Sequence, residues 1–102
     1  MQTITVEALK AKLDAGETIN LVDVREPHEN AEFNIGGLLL PLGKIQTMQV
    51  EEIDDLKDQE VFIYCRSGNR SGQACLILET MGYKNVVNVT GGMLAWQEKI
   101  GR

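Results

Sequence analysis

The residues best suited to do chemistry stand together in one run, Val61-Phe62-Ile63-Tyr64-Cys65-Arg66-Ser67-Gly68-Asn69-Arg70-Ser71. Cys65 is the strong nucleophile of the run, but an ordinary thiol, with a pKa of about 8.5, is mostly protonated at neutral pH. Its neighbours are of the kind that change this. The apolar residues before it read as a buried parallel strand. Beyond Ser71 the pattern turns helical, with Ala74, Cys75, Leu78 and Met81 on helical spacing. The cysteine thus falls where a strand ends and a tight loop runs into a helix. Backbone N–H groups point inward at such a place and the helix dipole favours negative charge. Arg66 and Arg70 add two positive charges. A loop of this make-up suits a sulfur anion and draws a small anionic substrate towards it.

Other reactive residue types have plainer explanations. Cys75 stands among Ala74, Leu78 and Met81 and reads as a core cysteine, because a free buried thiol packs like a small apolar side chain. A resolving thiol at that helical position would be awkwardly placed. His28 follows Pro27 in a polar run without a visible partner, and reads as a surface side chain rather than a proton shuttle. Glu51, Glu52, Asp54 and Asp55 read as the wet side of a helix, with no ligand geometry for a metal. Asp23 and Arg25 flank Val24 at the end of an apolar run. They read as support for the loop through hydrogen bonds and charge pairing, the alternative being a surface ion pair worth about 0–1 kcal/mol. Gly91-Gly92 either brings backbone close to the site or only shapes a turn. Trp96 reads as packing.

Composition narrows the function classes. A chain of 102 residues is enough for one domain, spanning 1–102, and not for two. A domain of this size buries roughly two-thirds of its unfolded surface and folds without a disulfide or metal. The net charge of -5 speaks against nucleic-acid binding, which shows as a basic patch on a basic domain. The arginines beside Cys65 are then a local positive spot on an acidic body. With two cysteines and one histidine, the set of ligands a zinc site needs is missing, and no cofactor is expected. No apolar run is long enough for a membrane span. The first fifteen residues are amphipathic and carry acids, unlike a secretory signal. These features predict a cytoplasmic protein with both thiols reduced.

The elements that must position the loop can be read in order. Thr3-Ile4-Thr5 is a short strand, and Thr5 can cap a helix carrying Val6, Leu9 and Leu13 on one face. Gly16 stops that helix. Ile19 to Val24 is a second strand, ended by Pro27, and Glu26 to Glu32 holds a short helical turn. Leu38-Leu39-Leu40 is a third strand closed by Pro41. Between Gly43 and Lys57, Val50, Ile53 and Leu56 fit one side of a short helix. Val61 to Tyr64 is the fourth strand, and the helix after the Cys65 loop ends at Gly82. Val86 to Val89 is the fifth strand, followed by a helix opened by Gly91-Gly92 and carrying Leu94, Trp96 and Ile100. Strand and helix in alternation predict an α/β fold, a five-stranded parallel sheet with helices on both faces. Ligands bind such sheets at the carboxyl ends of the strands, where Cys65, Asp23-Val24-Arg25 and Thr90-Gly91-Gly92 all stand.

Several of these segments together resemble the rhodanese domain. They are Leu21-Val22-Asp23-Val24-Arg25-Glu26, Glu32-Phe33, Pro41-Leu42, the loop Cys65 to Ser71, Gly82-Tyr83 and Gly91-Gly92-Met93-Leu94-Ala95-Trp96. The resemblance covers nearly the whole chain and implies a stand-alone, single-domain member. After Phe33 the chain reads Asn34-Ile35-Gly36-Gly37, where the family often has Gly-His-Ile, so the shape of the entrance is expected to differ. The resemblance implies sulfur transfer from thiosulfate or a similar small anionic donor through a persulfide on Cys65. It implies an amide cradle from Arg66, Ser67, Gly68, Asn69, Arg70 and Ser71, with Arg66 and Arg70 holding the donor and Asp23 and Arg25 in support. Cyanide or a thiol such as thioredoxin or glutathione would be the acceptor. Two rivals come from other classes. A cysteine phosphatase or arsenate reductase uses a similar cradle but has one more residue between cysteine and arginine than the four here, Arg66 to Asn69. A non-catalytic, regulatory rhodanese-like module would usually lack the cysteine. Neither the natural acceptor nor the oligomeric state can be read from the sequence.

Overall fold

The computed structural model describes residues 1–101. Its elements alternate as expected. They are β1 (Gln2–Ile4), α1 (Val6–Asp14), β2 (Asn20–Asp23), α2 (Pro27–Glu32), β3 (Leu38–Leu39), α3 (Leu42–Gln46), a 3-10 helix (Glu51–Leu56), β4 (Glu60–Tyr64), α4 (Asn69–Thr80), β5 (Asn85–Val89) and α5 (Gly92–Lys99). The five strands form one sheet in the order β1-β5-β4-β2-β3, and every pairing is parallel. β4, which carries the cysteine at its carboxyl end, lies in the middle, between β5 and β2.

Side chains alternate across a strand, and along β4 this divides the core in two. Val61, Ile63 and Cys65 point to one layer, where they pack with Ala74, Cys75 and Leu78 of α4, Ile45 of α3 and Ile53. Phe62 and Tyr64 point to the other, against Val6 and Leu9 of α1 and Met93 and Trp96 of α5. Each fully buried aliphatic or aromatic side chain contributes about 1.5–3 kcal/mol of transfer free energy, so both layers hold β4 in place. The loop after β4 is carried on the central strand of the sheet, paired on both sides. At the first strand-helix junction, Thr5 caps α1 by accepting from the Ala8 N–H at 3.1 Å.

The region from Gly43 to Lys57 departs from the expected single helix. It contains α3 and a separate 3-10 helix. Met48, at φ 61°, takes the left-handed conformation that ends α3, and the Gln49 N–H donates to the Lys44 carbonyl at 2.8 Å. The spacing of Val50, Ile53 and Leu56, three and three, suits the three residues per turn of a 3-10 helix better than an α-helix.

The start of α4 also departs from expectation, and this matters for the site. The helix begins at Asn69, so Asn69, Arg70 and Ser71 are its first turn rather than loop. Only Arg66, Ser67 and Gly68 separate β4's cysteine from the helix. Gly68 is the N-cap residue, at φ 100°.

Candidate active site

A helix leaves its first N–H groups without partners inside the helix. A capping side chain normally accepts from the second or third of them, but Gly68 has none to offer. Cys65 fills that role for α4. Its Sγ accepts from the Gly68 N–H at 3.1 Å and from the Ser71 N–H at 3.3 Å, and it contacts the Ser71 hydroxyl at 3.3 Å. Sulfur, amides and dipole therefore meet at one point. Cys65 is 0% exposed. Burial pushes its thiol up, but hydrogen bonds from the Ser71 hydroxyl and from the Ser71, Gly68 and Ser67 amides outweigh this, leaving it below the ordinary thiol value.

The expected cradle of six amides is smaller than that. The hydrogen bonds to the sulfur come from Gly68 and Ser71, with Ser67 contributing. Asn69 is exposed at the first position of α4. The backbone carbonyls of Cys65 and Arg66 are held from the other side, by the Met93 and Leu94 N–H groups at the start of α5, both at 2.9 Å. This answers what Gly92 is for. It sits at φ 53°, and a Cβ there would lie 2.3 Å from the Cys65 carbonyl oxygen. Only glycine lets α5 come this close to the loop.

The two arginines part company. Arg70, expected to hold the donor, is already engaged by a carboxylate. It makes a two-pronged pair with Glu29 of α2, Nη1 to Oε1 at 2.7 Å and Nη2 to Oε2 at 2.9 Å. The physical reason is that α4 starts three residues earlier than expected, which makes Arg70 part of its first turn, within reach of Glu29 on α2. Beside Arg70, the Glu29 carboxyl is held down at about 2. Arg66 is exposed and lines a cavity of about 180 Å³ with Arg25, Glu29, Phe33, Met93 and Gln97 among its other walls. Cys65 is not part of that wall.

Asp23 and Arg25 are buried rather than superficial. Arg25 Nε and Nη2 each donate to Asp23 at 2.9 Å, as does the Arg25 backbone N–H. Asn30 Nδ2 adds a further bond to the same carboxylate at 2.9 Å. Arg25 also donates to the Phe33 carbonyl at 2.6 Å and lies over the Tyr64 ring, 5.5 Å from its centre. Tyr64 donates its hydroxyl proton to the Gly36 carbonyl at 3.0 Å. Arg25 thus anchors the start of the Phe33–Gly36 segment, and Tyr64 its end. A buried pair such as that of Asp23 and Arg25 is strongly destabilising when one partner is lost.

Cys75, His28 and the four acids between Glu51 and Asp55 fall where the sequence placed them. Cys75 is buried in the α4-side layer and its thiol is pushed up to about 12 by burial. His28 is exposed. The acids Glu51, Glu52, Asp54 and Asp55 are exposed along the 3-10 helix, and among the described residues no cluster of ligands that could hold a metal is gathered. No described helix is long and apolar enough to cross a membrane. Sequence reasoning missed Glu29, Asn30, Tyr64 and Asn88. For Asn88 a signal existed, as the one polar residue inside Val86-Val87-Asn88-Val89, since a buried polar side chain is the informative exception in a strand. It accepts from the Ser71 hydroxyl at 2.5 Å and donates to the Gly68 carbonyl at 3.2 Å.

The profile of the rhodanese-like domain matches residues 5–99 of the chain. A protein of Allochromatium vinosum named "Sulfurtransferase" is 45% identical over 94 residues, an alignment covering 91% of this chain and 85% of that one. YrkF of Bacillus subtilis, named only provisionally as a sulfur carrier protein, is 37% identical over 97 residues; 94% of this chain matches it, but the chain spans about half its length, 51%. Among solved structures, a rhodanese-like domain protein from Staphylococcus aureus superposes with a TM-score of 0.82 at 34% identity, covering 94% of this chain and 91% of that one.

Proposed function

The chain belongs to the rhodanese-like domain family, and from that premise we propose that it moves a sulfane sulfur from thiosulfate, or a donor like it, through a persulfide on Cys65 to cyanide or a thiol. The observation that carries this reading is the place of the Cys65 sulfur as the acceptor at the start of α4, under the Gly68 and Ser71 amides. Donors aimed at one point stabilise a charge that develops there. The thiolate attacks the outer sulfur of thiosulfate; an S–S bond forms, the bond to the sulfonate sulfur breaks, and sulfite leaves with the electron pair. The persulfide keeps one negative charge beside the same amides. Cyanide then attacks the terminal sulfur, thiocyanate departs, and Cys65 is a thiolate again. Two half-reactions through a covalent intermediate give ping-pong kinetics, and no general base is needed once the thiol is ionised.

With Arg70 closed on Glu29, the cation left to meet the donor is Arg66, at the mouth of the cavity. Asp23 and Arg25 support the cavity wall, Asp23 by holding Arg25 and Arg25 by fixing the Phe33 carbonyl.

Intact-mass measurement after incubation with thiosulfate tests the reading. Wild-type protein gains one sulfur, Cys65→Ala gains none, and thiocyanate forms when cyanide is added. Labelling of the Cys65→Ala variant at Cys75 would mean the wrong nucleophile. Release of phosphate from an aryl phosphate, without thiocyanate formation, would move the chain to the phosphatase reading.

A further inference from the structure

Ser71 has one hydroxyl proton and two neighbours that can accept it. The direction of the bonds is fixed from the far end. The Gly68 carbonyl can only accept, and Asn88 Nδ2 lies 3.2 Å from it, so the amide of Asn88 turns its NH2 there and its Oδ1 towards Ser71. That oxygen can only accept in turn. While residue 65 is a thiol, the Ser71 Oγ, 2.5 Å away, therefore donates to it. What Ser71 then shows to Cys65 Sγ, at 3.3 Å, is a lone pair. A lone pair suits an S–H group and repels a thiolate. The Gly68 and Ser71 amides, at 3.1 and 3.3 Å, favour the opposite state. Ser71 and Asn88 are both buried, at 0% and 8% exposed, where an unmatched polar group is costly.

We propose that Asn88 is a positioning residue that competes with the Cys65 sulfur for the Ser71 hydroxyl proton. The hydroxyl has two positions, on Asn88 while residue 65 is a thiol, and on the sulfur once residue 65 is an anion. When the thiol ionises, the S–H bond breaks, its electron pair stays on sulfur and its proton goes to bulk water. The Ser71 O–H only rotates about its Cβ–Oγ bond and changes acceptor. Asn88 Oδ1 gives up its donor in that state, so Asn88 holds the nucleophile back from ionising as far as the amides alone would take it.

The surroundings leave this exchange visible. The ionisable groups coupled to the Cys65 sulfur are Arg70 and Cys75, both on α4. Arg70 is paired with Glu29 of α2. From β2, Asp23 and Arg25 are closed on each other by Tyr64, in the other layer of the core. β5 offers the uncharged Asn88, and α5 opens with Gly92 and Met93.

The proposal rests on Cys65 being the nucleophile, but its test reads ionisation and not sulfur transfer. The pH dependence of Cys65 alkylation by iodoacetamide is followed by peptide mass mapping in wild type, Asn88→Ala, Ser71→Ala and the double variant. In Asn88→Ala the midpoint falls by about one pH unit, roughly tenfold more thiolate below it. In Ser71→Ala the midpoint rises, and adding Asn88→Ala to that background changes nothing further. An unchanged or raised midpoint in Asn88→Ala, or an equal shift in both backgrounds, overturns the proposal, because Asn88 would then act only by holding Gly68. A second measurement needs no change at Asn88. Its side-chain amide resonance in ¹⁵N-labelled wild type moves with the Cys65 midpoint, and stops doing so in Ser71→Ala; an amide that ignores the titration, or follows it equally in both, overturns the proposal as well.

Discussion

Cys65 and Cys75 stand ten residues apart, on the same side of the sheet, both 0% exposed. Their thiols are nevertheless shifted in opposite directions. Burial raises both, as it does any group whose charged form loses water. At Cys75 no hydrogen bond offsets it, because the backbone N–H groups in mid-helix are spent on the helix itself; Glu79 adds a repulsive charge, and the attraction of the N-terminal amine is smaller than either. At Cys65 the uncommitted N–H groups of a helix start are aimed at the sulfur. A thiol's depth thus says little about its reactivity. What decides it is whether the chain around it has donors left over, and a helix supplies those only at its beginning.

The largest expected effect is a direct measure of this contrast. Cys75 at about 12 lies far above the ordinary thiol value, which leaves roughly a thousandfold less thiolate at neutral pH than a free thiol, equivalent to about 4 kcal/mol. Peptide mapping after brief iodoacetamide treatment of the native protein at pH 7.5 should find label on Cys65 and almost none on Cys75. Comparable labelling of the two would mean that the donors at Cys65 do not outweigh its burial.

A smaller effect of opposite sign concerns stability. Cys75→Ser places a hydroxyl among Ala74, Leu78 and the apolar residues of β4, and should cost about 2 kcal/mol for a polar group buried without a matched partner. Cys65→Ser puts the same hydroxyl under the Gly68 and Ser71 amides and should cost less than about 1 kcal/mol, although it removes the proposed nucleophile. Urea unfolding of the two variants gives the comparison. Equal losses would mean that the Cys65 position is as apolar to an oxygen as the Cys75 position.

How much of this could be read from the chain follows from the range of each cause. The five strands, the helices α1, α4 and α5 and the place of Cys65 at a strand end all come from local periodicity, which a sequence carries in plain form. The buried state of Cys75 came the same way, from its apolar neighbours. The start of α4 did not, because Asn69, Arg70 and Ser71 are polar, and polarity there was read as loop. Their polar side chains belong to a first turn whose N–H groups are served by a residue before the helix. The helical turn at Glu51–Leu56 is visible in the spacing of Val50, Ile53 and Leu56, but that spacing alone does not separate a 3-10 from an α-helix. Contacts across the fold left the weakest trace. Glu29 meets Arg70 over forty-one positions, and Asn88 meets Ser71 over seventeen, and nothing near any of the four announces its partner.

The pair of Glu29 and Arg70 gives the smallest effect and the most specific check on why the two cysteines differ. Arg70 favours a negative charge on Cys65 and is itself raised by it, and Glu29 holds Arg70 in position while cancelling part of its charge. The Glu29 carboxyl is held at about 2 against an ordinary 4.5, chiefly by its hydrogen bonds from Arg70. A carboxyl lowered on folding adds stability that is complete above its unfolded value. It is lost as the pH falls from about 4.5 to about 2. The Arg70 side chain is 33% exposed, so screening by water reduces the contribution to about 1 kcal/mol. Glu29→Gln should therefore be less stable than wild type by about that amount at pH 7, with the difference shrinking towards zero near pH 2, when urea unfolding is compared at the two pH values. A difference that stays the same at both would make the contact one of packing and not of charge. Arg70 would then have no electrostatic part in setting Cys65 apart from Cys75, leaving the amides of α4 to do it alone.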